Sequence, residues 1–319
     1  MSDRAPYLLS GSFAYDTVMR HDGAFSTHIL PEAVDKLSVA FGVHAAAPAF
    51  GGTGGNIAYN AGLLGQAPQL VGSVGPDAQA YLDWLAENRQ NIVTLTPSPR
   101  PTAHAYICGD VKSNQITFFS PGAMHTRPNL PAETPDLWHL APDILETMVF
   151  LAETAQNRGK HYFFDPGQCL PAFLEDVHGC GLPDILRFAT GIFLNEYEAD
   201  LLTKATGVPL EHWLASQRDF IVRTLGGNGV ELLTLHGKQR FDVAPAKRIA
   251  DATGCGDALR AGFLYGYTSG WRLEQCVELG AVMGAFAIEQ EGGQNHRATA
   301  TQVFDRLLQY RDINATRAA

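Results

Sequence analysis

The sequence predicts an α/β fold: a mostly parallel central sheet with helices on both faces and a small β-sheet lid. Three observations point there. Strand-like and helix-like runs alternate along most of the 319 residues, as repeated βα units do. The β-rich runs end in polar residues or glycine, as expected where the carboxyl ends of strands line a ligand crevice. Two segments, about 13–50 and 101–122, break the alternation with short strands and no long helix. They can pair into a small sheet that covers the crevice.

The opening MSDRAPYLLSGSFAYD has only a three-residue apolar core, too short for a secretory signal. After Gly55, NIAYNAGLLG sets Ile57, Ala61 and Leu64 on one helical face and stops at Gly65. PQLVGSVG reads as a short buried strand. DAQAYLDWLAEN reads as a helix capped by Asp77, with Leu82 and Leu85 facing inward. AHAYICGDVKSNQITFFSPG supplies the second lid segment. HYFFDPG, GIFLNEYEADLL, FIVRTLGG and VELLTLHG follow as further β-rich runs. Asp165, Asn195 and Thr224 close three of them and are therefore candidates for the rim of the crevice. No internal repeat or low-complexity linker divides the chain, so one domain over residues 1–319 with an appended lid is expected.

Composition narrows the function. Hydrophobic residues make up 45% and charged residues 18%, ordinary for a soluble globular protein. No apolar run approaches the roughly 18 residues that would span a bilayer, so no membrane role is expected. A net charge of -10 argues against nucleic acid, whose phosphates require clustered Lys and Arg. The five cysteines, Cys108, Cys169, Cys180, Cys255 and Cys276, form no C-x-x-C or zinc spacing. A scattered, odd set reads as reduced thiols of the cytoplasm, where the NAT sequon at Asn314 has no meaning. P-loop, G-x-G-x-x-G, protein-kinase, G-x-S-x-G and H-E-x-x-H motifs are all absent.

One stretch stands out: DATGCGDALRAGFLYGY, Asp251 to Tyr267. Leu259, Gly262, Phe263 and Gly266 repeat at helical spacing, so a helix begins near Gly256. First-turn amides have no internal partner and, with the helix dipole, attract an anion. Gly254, Cys255 and Gly256 are small enough to let phosphate oxygens approach the backbone. An aspartate there would repel a merely bound anion. Asp257 makes chemical sense as the acceptor of a proton from an alcohol that attacks phosphorus, with the amides stabilising the transferring group. Taken alone, the stretch reads equally well as a capped helix after a glycine-rich loop.

DATGCGD resembles the D-T-x-G-x-G-D signature of the ribokinase (PfkB) family of small-molecule kinases. GGTGGNIAYNAGLLG at 51–65 resembles that family's N-terminal Gly-Gly motif, NEYE at 195–198 its N-x-x-E motif, and TLGGNG at 224–229 its nucleotide-binding T-x-G-x-x-G. The four occur in family order over most of the chain. GSFAYDTVMRHDGAFSTHILPEAVDKLSVAF, NQITFFSPGAM and FDPGQCLPAF look like bacterial adenosine kinases and broad nucleoside kinases within it. One departure is Ala252, where the family usually has Thr.

The resemblance implies a ribokinase-like three-layer α/β/α sandwich and an ATP-dependent kinase acting on the 5′-hydroxyl of a purine nucleoside: adenosine, inosine or guanosine. It implies Asp257 as general base and Gly254, Cys255 and Gly256 as an anion hole, Cys255 acting through its N–H and not as a nucleophile. Asp16, Gly52 and Asn56 fall where ribose hydroxyls are held; Asp16 also reads as a strand-end turn residue and Asn56 as a helix cap. Asn195 and Glu198 match positions that orient Mg²⁺ and phosphate through water, although N-x-x-E is also a capping pattern. Thr224, Gly226 and Gly229 would line the ATP side, or form a plain strand-turn. Asp251 and Thr253 fall at a potassium-like ion site whose other half would come from Ala285–His296. Arg260 reads either as a contact to the transferred phosphate or as a solvent-facing residue. Phe119 is the candidate base-stacking ring, or simple lid packing. Ala105 stands opposite it, and Gln168 is placed to meet the base edge. Rival readings are a sugar kinase and a non-catalytic nucleoside- or nucleotide-binding sensor. Monomer and homodimer are both compatible.

Overall fold

Burial of the central strands on both faces organises the structure, a computed structural model. It describes residues 5–29, 35–45, 48–92, 94–112, 114–175, 181–214 and 219–318. Cys180 and lid positions 30–34, 46, 47 and 113 lie outside the described residues.

Along the chain, β1 (Leu8–Ser10), β2 (Ala14–Arg20), β3 (His44–Ala45) and β4 (Ala49–Gly51) precede α1 (Thr53–Leu63), β5 (Gln69–Val71), β6 (Ser73–Val74) and α2 (Gln79–Glu87). Next come β7 (Thr96–Pro97), β8 (Ala103–Gly109), β9 (Gln115–Ser120), β10 (Leu137–Leu140), α3 (Leu145–Asn157) and β11 (His161–Phe164). Then follow α4 (Leu170–Glu175), α5 (Leu182–Phe188), β12 (Gly191–Asn195), α6 (Glu196–Thr206), β13 (Phe220–Thr224), β14 (Val230–Thr234) and β15 (Gly237–Phe241). Helices α7 (Cys255–Thr268), α8 (Leu273–Ala287) and α9 (Ala300–Ala318) complete the chain.

The main sheet runs β15-β14-β13-β12-β11-β10-β1-β5. It is parallel from β13 to β5, and β14 and β15 are antiparallel additions. Side chains on a strand alternate faces, so paired apolar residues serve two cores. Leu9, Phe163, Phe193 and Val222 pack with α1, α2, α7 and α8 residues such as Ile57, Tyr81, Phe263 and Val277. Their neighbours Leu8, Phe164, Leu194 and Ile221 pack on the other face with Leu151, Phe173, Leu186 and Leu202 of α3 to α6. Full burial of each such side chain contributes about 1.5–3 kcal/mol. A third cluster joins α8 to α9 through Val282, Phe286, Val303 and Leu307.

The second sheet runs β3-β2-β8-β9, with β4 on the free part of β2. It is rooted on α2: Phe50 stacks on Tyr81 with ring centroids 4.9 Å apart, and the Tyr15 hydroxyl donates to the Asp77 carbonyl at 3.0 Å.

Several local expectations are corrected. Helix α1 starts at Thr53, capped by Gly52 at φ 79°, which puts Asn56 inside the helix and removes its cap role. A Cβ at Gly52 would lie 2.6 Å from the Ser12 carbonyl, so only glycine fits that turn. Asp77 does not cap α2; the cap is Ala78. The Asp77 carboxylate instead accepts the Thr102 N–H at 2.8 Å and hydroxyl at 2.7 Å. PQLVGSVG is divided at Gly72, where a Cβ would lie 2.7 Å from the Phe13 ring.

Helix α7 crosses α8 at glycine against glycine. A Cβ on Gly262 would meet the Leu279 carbonyl at 2.8 Å, and one on Gly280 would meet the Leu259 carbonyl at 2.8 Å. Both obstacles are backbone and cannot rotate away. Gly262→Val should therefore lower stability by about 2–3 kcal/mol, read as a fall in urea or thermal midpoint against wild type.

Candidate active site

The carboxyl ends of β1 and β10 to β13 form one rim, beneath the second sheet and beside the start of α7. In-register pairing of Asn195 with Thr224 sets these two residues side by side on that rim. At the other end of the rim, the loop after β1 is locked to β10: the Pro142 carbonyl accepts from Ser12 N at 3.2 Å and from the Thr53 hydroxyl at 2.9 Å.

Helix α7 begins at Cys255 behind Gly254, whose φ is 75°. A Cβ on Gly254 would lie 2.7 Å from Gly293 Cα, and one on Gly293 would lie 2.6 Å from Asn56 Oδ1. Three segments far apart in sequence thus meet at close quarters. The anion hole differs in one detail from expectation. The Cys255 N–H is taken by the Ala252 carbonyl at 3.2 Å, and the first-turn amides of Gly256 and Asp257 make no hydrogen bond among the described residues. Burial, with help from Asp251 and Asp257, pushes the Cys255 thiol up to about 12, so no thiolate nucleophile forms there.

Asp257 Oδ2 accepts from Asn56 Nδ2 at 2.8 Å. Burial raises its pKa to about 7; the Asn56 bond and Arg260 oppose the rise, and Asp165 and Asp16 add to it. A carboxylate with a pKa near neutrality is poised to take and release a proton. Asp16, on β2, is lifted by burial to about 6. Its carboxylate lies where a Cβ on Gly51 would be, 2.1 Å from Oδ2. Across the small sheet, Asp16 pairs with Ala105 and Ala105 with Phe119. The three share one face, so the ring stands in the row of the carboxylate. Phe119 is 51% exposed, open to a ligand. Gln168 is exposed on the turn after β11.

Arg260 is neither solvent-facing nor free for a phosphate. Its Nε donates to Asp165 Oδ2 at 2.7 Å and its Nη2 to Oδ1 at 3.4 Å, both residues being buried. Nη1 donates to the Gly256 carbonyl at 3.3 Å. The pair ties the first turn of α7 to the end of β11. In the N-x-x-E pair, Asn195 accepts from Glu198 N at 2.8 Å and Glu198 Oε2 from Asn195 N at 2.8 Å, a reciprocal helix cap. Glu198 Oε1 also accepts from Asn195 Nδ2 at 2.7 Å. With both oxygens engaged, the residue fits Mg²⁺ through water rather than by direct ligation. Among the described residues no group of three or more His, Cys, Asp or Glu could hold a metal.

Asp251 is a loop staple. Burial pushes its carboxyl up, but bonds from Gly292 N at 2.9 Å and from Thr253 N and hydroxyl at 3.0 and 2.9 Å outweigh that and hold it below the usual range. A potassium-like ion there would share the carboxylate with those donors. Thr224 ends β13, and Gly226 (φ 54°) and Gly229 (φ 96°) shape the turn behind it. A Cβ on Gly229 would lie 2.0 Å from the Phe241 carbonyl.

Sequence reasoning missed the groups behind Asn56. Gln294 donates to Asn56 Oδ1 at 3.0 Å and to the Tyr81 hydroxyl at 2.8 Å, and Tyr81 donates to the Gly51 carbonyl. The only sequence signal is that Gln294 falls within Ala285–His296, the segment expected to complete the potassium-like ion site. Among the described residues no disulfide links the cysteines, and no helix is long and apolar enough to cross a membrane.

Comparison with known proteins identifies the family and the fold. A family model described as pfkB family carbohydrate kinase matches residues 30–300. A nucleoside kinase of Methanocaldococcus jannaschii is 30% identical over 267 residues, covering 82% of this chain and 86% of that protein. The structure of Burkholderia thailandensis nucleoside kinase in complex with inosine matches with TM-score 0.84 and 33% identity, over 95% of this chain and 97% of that one. The same enzyme in complex with ADP-inosine matches with TM-score 0.82 and 35% identity, over 95% of each chain. The architecture is the ribokinase-like α/β fold with its separate small sheet, and the chain belongs to the pfkB family of carbohydrate kinases.

Proposed function

We propose that the protein is an ATP-dependent kinase that phosphorylates the 5′-hydroxyl of a purine nucleoside. The observation that carries this is Asp257: a carboxylate with a pKa of about 7, placed beside unpartnered amides at a helix N-terminus. Nucleoside kinases among the relatives, and inosine bound to one of them, favour a nucleoside acceptor over a simple sugar.

In this reading Asp257 accepts the proton of the 5′-hydroxyl as that oxygen attacks the γ-phosphorus in line, and ADP leaves. The Gly256 and Asp257 amides face the charge carried by the transferring group. Asp16 accepts from the vicinal ribose hydroxyls, and the Gly52 turn at the start of α1 presents its backbone to the sugar. Phe119 stacks on the base, Gln168 meets its edge, and the small Ala105 leaves room for hypoxanthine or guanine as well as adenine. Thr224, Gly226 and Gly229 flank the nucleotide, with Asn195 and Glu198 holding waters of a nucleotide-bound Mg²⁺. When bound, that ion supplies charge neutralisation on the phosphates. Closure of the small sheet excludes water and limits ATP hydrolysis.

Asp257→Asn should lower kcat by about 10²–10⁴ and also stabilise the fold at alkaline pH. The sign follows from the raised pKa. The folded protein binds a proton that the unfolded chain has lost, so stability falls as pH rises from the unfolded value toward about 7, and the amide removes that loss. Melting curves at acid and alkaline pH check it. Cys255→Ala should keep kcat within about 3-fold, since a thiol with a pKa near 12 takes no part in the chemistry. An ADP-release assay over adenosine, inosine, guanosine, ribose and fructose phosphates tests the acceptor. Turnover of a purine nucleoside is expected; turnover of sugars alone would identify a sugar kinase, and no turnover at all a binding protein.

A further inference from the structure

Trp84 on α2 begins a chain of polar groups that ends on Asp257. An indole N–H only donates, and this one donates to Gln294 Oε1 at 2.9 Å. With its oxygen taken, Gln294 presents its Nε2 to Asn56 Oδ1 at 3.0 Å and to the Tyr81 hydroxyl at 2.8 Å. The Tyr81 proton is already given to the Gly51 carbonyl, so that hydroxyl can only accept from Gln294. With its own oxygen taken, Asn56 presents its Nδ2 to Asp257 Oδ2 at 2.8 Å. The direction of each bond is dictated by the one before it, starting from a group that cannot reverse.

Burial makes the polarity binding. Tyr81, Gln294 and Asn56 are 0%, 2% and 5% exposed, so a flipped amide would find no water to replace its lost partners. The indole itself is held between Phe50 and Tyr59, with centroids 5.5 and 5.8 Å away. At the far end, Asn56 offers Asp257 a donor. A carboxylate accepts that donor, whereas a carboxylic acid would be better met by an acceptor. Oδ2 is thereby occupied, and Oδ1 has no protein partner among the described residues.

We propose that Trp84 and Gln294 are positioning residues that fix the direction of the Asn56 amide and so hold Asp257 in its proton-accepting form, with Oδ1 turned to the substrate hydroxyl. The proposal rests on Asp257 being the base. Other titratable or charged groups facing Asp257 are Arg260 and Cys255 on its own helix, Asp165 after β11, Asp16 on β2 and Tyr81 on α2. None of them is altered in the test below.

The test compares Trp84→Phe and Gln294→Met with wild type, measuring kcat and kcat/KM for a purine nucleoside against pH at saturating ATP. The phenyl ring of Trp84→Phe preserves the stack but lacks the donor, and both variants free the Asn56 amide to flip toward a protonated Asp257. The acid limb should move to higher pH by about 0.5–1, the worth of one hydrogen bond. That is roughly a 3- to 10-fold loss on the limb, which disappears on the alkaline plateau. ATP titrates identically in all variants, so the difference between them belongs to the protein. A purely structural role would lower the rate equally at every pH and leave the limb in place; that result in folded Trp84→Phe protein overturns the proposal. Should Gln294→Met fail to fold, Trp84→Phe decides alone. Asp257→Asn separates the two levels: if it retains the wild-type rate, the base assignment fails. If it loses the rate while the limb of Trp84→Phe stays put, only the polarity relay fails.

Discussion

The site depends on one hydrogen bond, Asn56 to Asp257, which joins residues 201 positions apart. It brings the glycine-rich start of α1 onto the glycine-rich start of α7. The loop at Gly293 fits between them only because it and Gly254 lack side chains: a Cβ on Gly254 would lie 2.7 Å from Gly293 Cα, and one on Gly293 would lie 2.6 Å from Asn56 Oδ1. Small residues here serve approach, and approach serves charge: the carboxylate is buried enough to hold its proton near neutrality while standing beside amides that suit an anion. The same burial that tunes Asp257 must be stabilised from elsewhere, which is the work of the two apolar faces of the sheet and of the Arg260–Asp165 pair beneath α7.

That ion pair illustrates how charge is managed under the crevice. Two buried groups of opposite sign, bonded at 2.7 Å, would each be costly alone and are tolerable together. Glu198 lies in the same field. Burial raises its pKa, with Asp165 adding to the rise and the Asn195 bond and Arg260 opposing it. Acidic groups around the rim are therefore not independent: Asp165 and Asp16 raise the proton affinity of Asp257, and Asp165 raises that of Glu198. This is a common property of sites built for proton transfer.

Much of this was legible in the sequence. The βα alternation gave the parallel sheet because burial on both strand faces leaves long apolar runs, and the four motifs located the start of α7, the Asn195 and Thr224 strand ends and the Gly52 turn. What escaped notice depended on contacts between distant segments. Nothing local distinguishes Asp77 as a ligand for Thr102 from Asp77 as a helix cap. Arg260 read as a phosphate contact or a solvent-facing residue, and not as half of a buried pair, because its partner, Asp165, lies 95 residues earlier. Trp84 and Gln294 are separated by 210 residues, and each alone is an unremarked residue of a helix or a loop. The sequence pattern shows which face of an element is apolar; it does not show which polar atom will be opposite another once the faces have met.

Strand order carries a consequence for biosynthesis. From β10 to β15 the strands lie side by side in the order in which the ribosome makes them, so each newly emerged strand finds its neighbour already in place. β1 can join β5 early, yet its opposite edge must wait for β10. Until residues 137–140 have been translated, Leu8 and Leu9, fully buried in the finished molecule, belong to an open apolar border that invites pairing with another chain. β10 is the joint between the early pair and the later series, so the open border of β1 closes only once that strand has emerged.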